Sequence, residues 1–244
     1  MTDNTFYLIT GANRGIGLAI TSLLLTRPHT AVIATSRKPF SFSAAKGRSI
    51  HPTSKLVPVL LDEANPAITS ASLPDRLAAE HGITHLDVVI ANAGTSSSFE
   101  GVLSPSTTGT DPGEGMLRDF EVNAVGPARL FRAVWPLLDG HREGEDGEQK
   151  RKEKKFVLMS SSLGSIGALE QENLPGVSYG MSKAAANWWA KKTDLGQALA
   201  DAVGFTAPPS TPEQSAKAVV EQIDNLTPEK SGQFLMYNGE QLPW

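Results

Sequence analysis

The chain alternates short, continuous apolar runs with longer stretches in which apolar residues recur every three or four positions. The runs at 6–9, 31–34, 56–61, 86–91 and 156–159 read as strands buried on both faces of a parallel sheet, and 234–237 as a further short one. Helical spacing predicts helices at 16–26, 73–81, 115–138 and 182–192, and at 212–226 behind Thr211, a residue suited to cap a helix. Strand then helix, repeated, predicts an α/β fold: a doubly wound, Rossmann-type parallel sheet with helices over both faces. No repeat of solenoid period interrupts it. Two polar stretches do. Residues 95–113, rich in Ser, Thr, Gly and Pro, follow a strand end and so are placed to border a substrate site. Residues 141–155, acidic then basic, read as a solvated loop.

Length adds that 244 residues suit one large core better than two. With 40% hydrophobic and 20% charged residues the chain is of ordinary globular composition. A net charge of −4 argues against nucleic acid as a partner, because that affinity rests on clustered Lys and Arg. The absence of Cys removes disulfides, thiolate metal sites and Cys nucleophiles. The N-terminus has no basic and apolar leader pattern, and no apolar run approaches the ~18 residues of a membrane span, so a soluble, cytoplasmic protein without a membrane partner is expected.

Thr10-Gly11-Ala12-Asn13-Arg14-Gly15-Ile16-Gly17 stands where the first predicted strand gives way to the first helix. Glycines there permit a tight turn and bring backbone N–H groups close to a pyrophosphate, whose charge the helix N-terminus stabilises. Gly11, Asn13, Arg14, Gly15, Ile16 and Gly17 are the candidate phosphate-binding residues. The spacing is GxxxGxG, and a cluster selected only for turning and helix packing is the alternative. About 20 residues on, where an NAD enzyme carries an acid for the ribose diol, this chain has Arg37 and Lys38. With no acid there, and with Arg14 as a second positive charge, the pattern favours the 2′-phosphate of NADP over a reading of Arg37 as a solvated loop residue.

Tyr179 and Lys183 are four apart in a helical stretch and therefore share a face. A neighbouring cation favours the phenolate, which brings proton exchange by a phenol of pKa about 10 nearer to neutral pH. His81 and His85 are also four apart, but Gly82 and Thr84 break the helical context and no third ligand is near, so no metal is assigned. Trp188 and Trp189 read as core or subunit-contact residues.

Taken in order, Thr10 to Gly17, Asn92-Ala93-Gly94, Asn123, Ser160-Ser161-Ser162 and Tyr179-Gly-Met-Ser-Lys183 resemble the short-chain dehydrogenase/reductase family in its single-domain form. The wording from Asn13 to Gly17 and the tail at 227–239 are most similar to its norsolorinic acid ketoreductase-like branch, which reduces ketones on aromatic polyketides. The resemblance implies a single dinucleotide-binding domain over 1–244, with the substrate site at the C-terminal ends of the strands. It implies an NADPH-dependent keto reductase or alcohol dehydrogenase that moves hydride between NADP and a ketone or secondary alcohol, an aromatic polyketide being one such substrate. It implies a small-molecule partner and is compatible with a homo-oligomer.

Carried over by motif, Tyr179 would be the general acid, and Lys183 would hold the nicotinamide ribose while lowering the Tyr179 pKa. Ser161 would polarise the carbonyl, and Asn123 would hold a water in a proton relay. Ser161 is the second Ser after Met159; an offset of one, to Ser162, stays open because the stretch 170–176 lengthens the Ser-to-Tyr distance. Asn92, Ala93 and Gly94 would support the sheet and face the adenosine side of the cofactor, and Asp62 would contact the adenine.

The chain departs from the family after Lys192. Relatives continue the helix, add a sixth strand rich in Val and Ile, and pass through Pro-Gly to a Thr that closes over the cofactor. Here Thr193 follows at once without Pro-Gly, and neither Val nor Ile occurs between Val177 and Val203. Roughly 20 to 25 residues are missing by this reading, through true shortening or a lost coding segment, with Thr193 taking the place of the closing Thr. A six-stranded sheet is expected, with 233–237 drawn in beside 156–159. The same departure supports an alternative: a shortened member that binds NADP but is catalytically impaired, with a regulatory role or no enzymatic one.

Overall fold

The computed structural model describes residues 4–39, 49–97, 112–139, 153–171, 176–192 and 211–244. The expected substrate-site border at 98–111, most of the expected 141–155 loop and Thr193 lie outside them. The chain forms two compact units, Met1–Ile90 with Arg129–Phe156, and Ala91–Ala128 with Val157–Trp244. Among the described residues no helix is long and apolar enough to cross a membrane.

The first unit is built on β1 (Thr5–Ile9), β2 (Thr30–Ser36), β3 (Lys55–Leu60) and β4 (Val88–Ala91), with α1 (Gly15–Leu24) after β1 and α2 (Leu73–His81) after β3. β5 (Lys155–Leu158) completes a sheet of order β3-β2-β1-β4-β5. β1 pairs in parallel with β2 and β4, setting Leu8 opposite Ile33 and Val89. All seven residues of β2 are buried, as its unbroken apolar run requires. β3 alternates instead and carries Pro58, which a sheet tolerates at its edge, where β3 lies. The order reverses at β1: the chain steps outward to β2 and β3, then returns to β4 on the other side. Open α/β sheets bind ligands at such a switch point, beyond the C-terminal ends of the strands.

The second unit holds α3 (Pro112–Phe120), α5 (Val177–Lys192) and α6 (Pro212–Asp224), and the start of α4 (Gly126–Asp139). The single helix expected over 115–138 is interrupted by a widened π turn at Glu121–Val125. Pro127 has no N–H to return to the preceding turn, and the Gly126 N–H reaches back five residues to the Glu121 carbonyl. α5 starts five residues before the expected 182, so Tyr179 sits in its first turn. Thr211 caps α6 in a reciprocal box with Gln214.

The sheet has five strands among the described residues, not six, and the stretch expected to pair with β5 does not join it. Leu235 instead makes one antiparallel bridge to Gln241, across a turn in which Gly239 adopts φ 86°. Leu242 N–H donates to the Phe234 carbonyl at 2.7 Å, and Met236 N–H to that of Glu240 at the same distance. These partners lie a few residues away, so the segment satisfies its backbone locally without closing a long loop onto β5.

Candidate active site

The first unit holds the glycine turn. Gly11 and Gly15 have φ of 64° and 55°, a backbone region that side chains with a Cβ seldom adopt. The Ala12 N–H is tied to the Thr35 carbonyl at the end of β2, which fixes the turn over the sheet. Arg14 occupies the N-cap of α1 in extended conformation, and no side chain caps the helix there. An α-helix has no main-chain partner of its own for its first amides, and such a turn suits a phosphate group of a dinucleotide. Asn13, Arg14 and Gly15 are exposed, Ile16 is half-buried and Gly17 is buried. Arg37 follows the last residue of β2 and is exposed, as a ligand-facing cation there would be. Asp62 lies just past β3, where its carboxylate accepts from the Ala64 N–H at 3.1 Å.

The second unit assembles Asn123, Ser161, Tyr179 and Lys183. Ser161 caps the tight turn Ser162–Gly164 after β5 and forms a hydrogen bond with the Tyr179 hydroxyl. Its neighbour Ser160 turns to Asn187 on α5. Lys183 is 3% exposed; its Nζ donates to the Met159 carbonyl at 2.6 Å and lies 5.6 Å from the Tyr179 ring centre. Asn123, fully buried in the π turn, uses both amide hydrogens, on the Thr95 carbonyl at 2.7 Å and the Ser182 hydroxyl at 2.9 Å. Its Oδ1 accepts from the Thr95 N–H at 2.9 Å. Gly94 completes the group: a Cβ there would stand 3.3 Å from Asn123 Oδ1 and 3.8 Å from Lys183 Nζ. Asn92 and Ala93 precede it directly after β4.

Two glycines press the Ser161 turn onto α5. A Cβ on Gly180 would lie 2.8 Å from the Leu163 carbonyl oxygen, and one on Gly164 would lie 2.8 Å from Lys183 Cβ. Neither was marked by sequence, because the need for glycine arises only across this packing.

Burial pushes the Tyr179 phenol above its usual range; the Ser161 hydrogen bond works against that, and the Asp119 charge adds to it. The lowering expected from Lys183 is therefore not the outcome here. Its ammonium is directed to a main-chain carbonyl, and burial decides the direction. A protonated phenol at neutral pH, beside a hydroxyl and a buried ammonium, can give a proton to an oxygen that gains negative charge.

Sequence reasoning also missed Asp119, Ser97, Ser178 and Ser182. Asp119 accepts from Ser97 and Ser178; Asn123 accepts from the Thr95 N–H and donates to the Ser182 hydroxyl. The repeated spacing of four, Asp119 to Asn123 and Ser178 to Ser182, was the available signal.

The chain belongs to the short-chain dehydrogenase/reductase family: residues 5–201 match the family model described as short chain dehydrogenase. It is an oxidoreductase of that family. The chain is 35% identical over 264 residues to the short chain dehydrogenase gsfK of Penicillium aethiopicum, spanning 97% of this chain and 98% of that one. It is 32% identical over 269 residues to the norsolorinic acid ketoreductase nor1 of Dothistroma septosporum, spanning 100% of this chain and 94% of the relative. An alignment of 269 positions over a chain of 244 leaves about 25 positions of that relative unmatched. The NADPH-bound carbonyl reductase from chicken fatty liver shares the fold with a TM-score of 0.71 and 25% identity, each chain covered in full.

Proposed function

We propose that the chain is an NADPH-dependent carbonyl reductase, acting on a ketone or, in reverse, on a secondary alcohol, with ketones of aromatic polyketides as the leading substrate class. The observation that carries this reading is the packing of the Ser161 turn onto the start of α5 at Gly164 and Gly180, where buried Lys183 stands one turn from Tyr179 with its Nζ 5.6 Å from the phenol ring centre. The ketoreductase and carbonyl reductase relatives support the same chemistry.

NADPH, when bound, supplies the hydride. The glycine turn from Gly11 to Gly17 would take its pyrophosphate, Arg37 and Arg14 its 2′-phosphate, Asp62 its adenine, and Asn92, Ala93 and Gly94 its adenosine side. Tyr179 and Lys183 would take the nicotinamide ribose. As the carbonyl carbon accepts the hydride, the oxygen gains the electron pair of the C=O π bond. The Tyr179 hydroxyl gives that oxygen its proton, and the Ser161 hydroxyl donates a hydrogen bond to it before and during transfer. Both amide hydrogens of Asn123 are spent on Thr95 and Ser182, so a relay water on Asn123 would bind its main-chain carbonyl.

Titration with both cofactors tests the assignment. NADPH should bind at least ~10-fold more tightly than NADH, and Arg37→Glu should remove that preference, since a guanidinium paired with phosphate readily supplies about 1.4 kcal/mol. Equal dissociation constants in the wild type would remove the basis for NADP. A second reading, cofactor binding without turnover, draws on the roughly 25 unmatched positions. It predicts a thermal shift with NADPH and no NADPH consumption with any ketone.

A further inference from the structure

One buried charge in the second unit has no task in that chemistry. Asp119 lies in the last turn of α3 with none of its surface exposed. A carboxylate in such a place is costly unless its lone pairs are met. They are met from two segments. Ser97, in the loop after β4, gives its N–H to Oδ2 at 3.1 Å and its hydroxyl to Oδ1 at 2.8 Å. Ser178, the residue before Tyr179, gives its hydroxyl to Oδ2 at 2.7 Å.

Asn123 repeats the arrangement four residues on. It grips the same loop at Thr95 and the same helix at Ser182. The steps are commensurate: four residues from Asp119 to Asn123 and four from Ser178 to Ser182 rise about 6 Å, a little over one helical turn, while two extended residues from Ser97 to Thr95 rise ~6.6 Å. The two rungs bracket Tyr179, and the Ser182 hydroxyl also donates to the Tyr179 carbonyl at 2.6 Å.

We propose that Asp119 is a positioning residue for Tyr179, the first of two polar rungs that fix the start of α5 against the loop at 95–97. This rests on the reading of Tyr179 as proton donor. The same placement has an electrostatic effect: a buried negative charge opposes the phenolate. Among the described residues, the charged groups facing the phenol are Asp119 from α3 and Lys183 from α5 itself, with the Ser161 hydroxyl from the turn after β5. A purely structural Asp119 would hold the fold without governing when Tyr179 ionises.

The test is a spectrophotometric titration of Tyr179 in the full chain without substrate, with a Tyr179→Phe reference to subtract Tyr7 and Tyr237. Asp119→Asn should move the Tyr179 midpoint to lower pH and reduce kcat for ketone reduction, with NADPH affinity little changed. An unmoved or raised midpoint would overturn the proposal. Should Asp119→Asn not fold by circular dichroism, Ser178→Ala and Ser178→Thr decide. The Ala variant should lose about tenfold in kcat, as for one positioning hydrogen bond, while Thr keeps the hydroxyl and most of the rate. Equal rates for Ala and Thr would count against the rung. If the wild type has no reductase activity, the proposed function fails, while the Asp119→Asn titration still decides whether the charge governs Tyr179.

Discussion

Ser160 and Ser161 are adjacent and chemically identical, yet one faces Asn187 and the other the Tyr179 phenol. Extended backbone sends successive side chains to opposite sides, so a run of three serines at a strand end offers its hydroxyls to different neighbours. The sequence named the run and its second member but left Ser162 open, because nothing local says which way the strand end faces. Ser161→Ala should reduce kcat by about 100-fold with little change in NADPH affinity, the usual cost of one donor to a developing oxyanion. Ser160→Ala should leave kcat nearly intact and lower the melting temperature. Steady-state kinetics with melting curves on the two variants checks the pair, and reversed effects would reassign the roles. The glycine turn was legible for the converse reason: its need for positive φ beside a helix N-terminus is local, and the sequence states it directly.

Periodicity located the elements well where an apolar run or stripe meets the core without interruption, and less well where a polar residue or a proline resets the spiral. β1 to β5, α1, α2 and α6 lie where the apolar patterns place them, within a few residues. The helix at 115–138 kept its apolar period through the π turn, so the break before Pro127 was hidden in that period. The residues that seat the Ser161 turn were illegible because they answer to a partner distant in sequence. Gly180 shows this in energetic terms. Ala normally stabilises a helix interior by about 0.5–1 kcal/mol relative to Gly. Here the added Cβ would meet the Leu163 carbonyl at 2.8 Å, a backbone atom that cannot swing aside. Gly180→Ala should therefore lower both stability and kcat, readable by urea melts and turnover. A stabilised, fully active variant would show that the turn has slack.

At the scale of the molecule, the fold, the strand order and the family were legible in an ordered set of motifs spread over most of the chain, and the place of 233–237 was not. The expected sixth strand closes on itself because Gly239 allows a local turn whose hydrogen bonds cost little loop entropy. The stability of the whole should carry a pH signature from Asp87. Burial alone would raise that carboxyl, but the Lys154 and Phe6 hydrogen bonds, with the charges of Lys154 and His85, outweigh it and hold it below the usual range. A carboxyl depressed on folding stabilises above its ordinary value of 3.8 and loses that contribution as pH falls through the lowered one. Lys154→Met should accordingly lose stability less steeply below pH 3.8 than the wild type, in urea melts across that range. Identical slopes would mean that the pair does not report folding.

Carbonyl reduction by this chain with Tyr179 as proton donor is read out by NADPH consumption at 340 nm. The assay pairs wild type with Tyr179→Phe over a panel of aromatic ketones, with NADPH affinity measured on both. Ketone-dependent consumption by the wild type is expected, with a loss of at least ~100-fold in Tyr179→Phe and NADPH affinity nearly unchanged. A Tyr179→Phe chain that keeps most of its turnover, or a wild type that binds NADPH and consumes none, would contradict it.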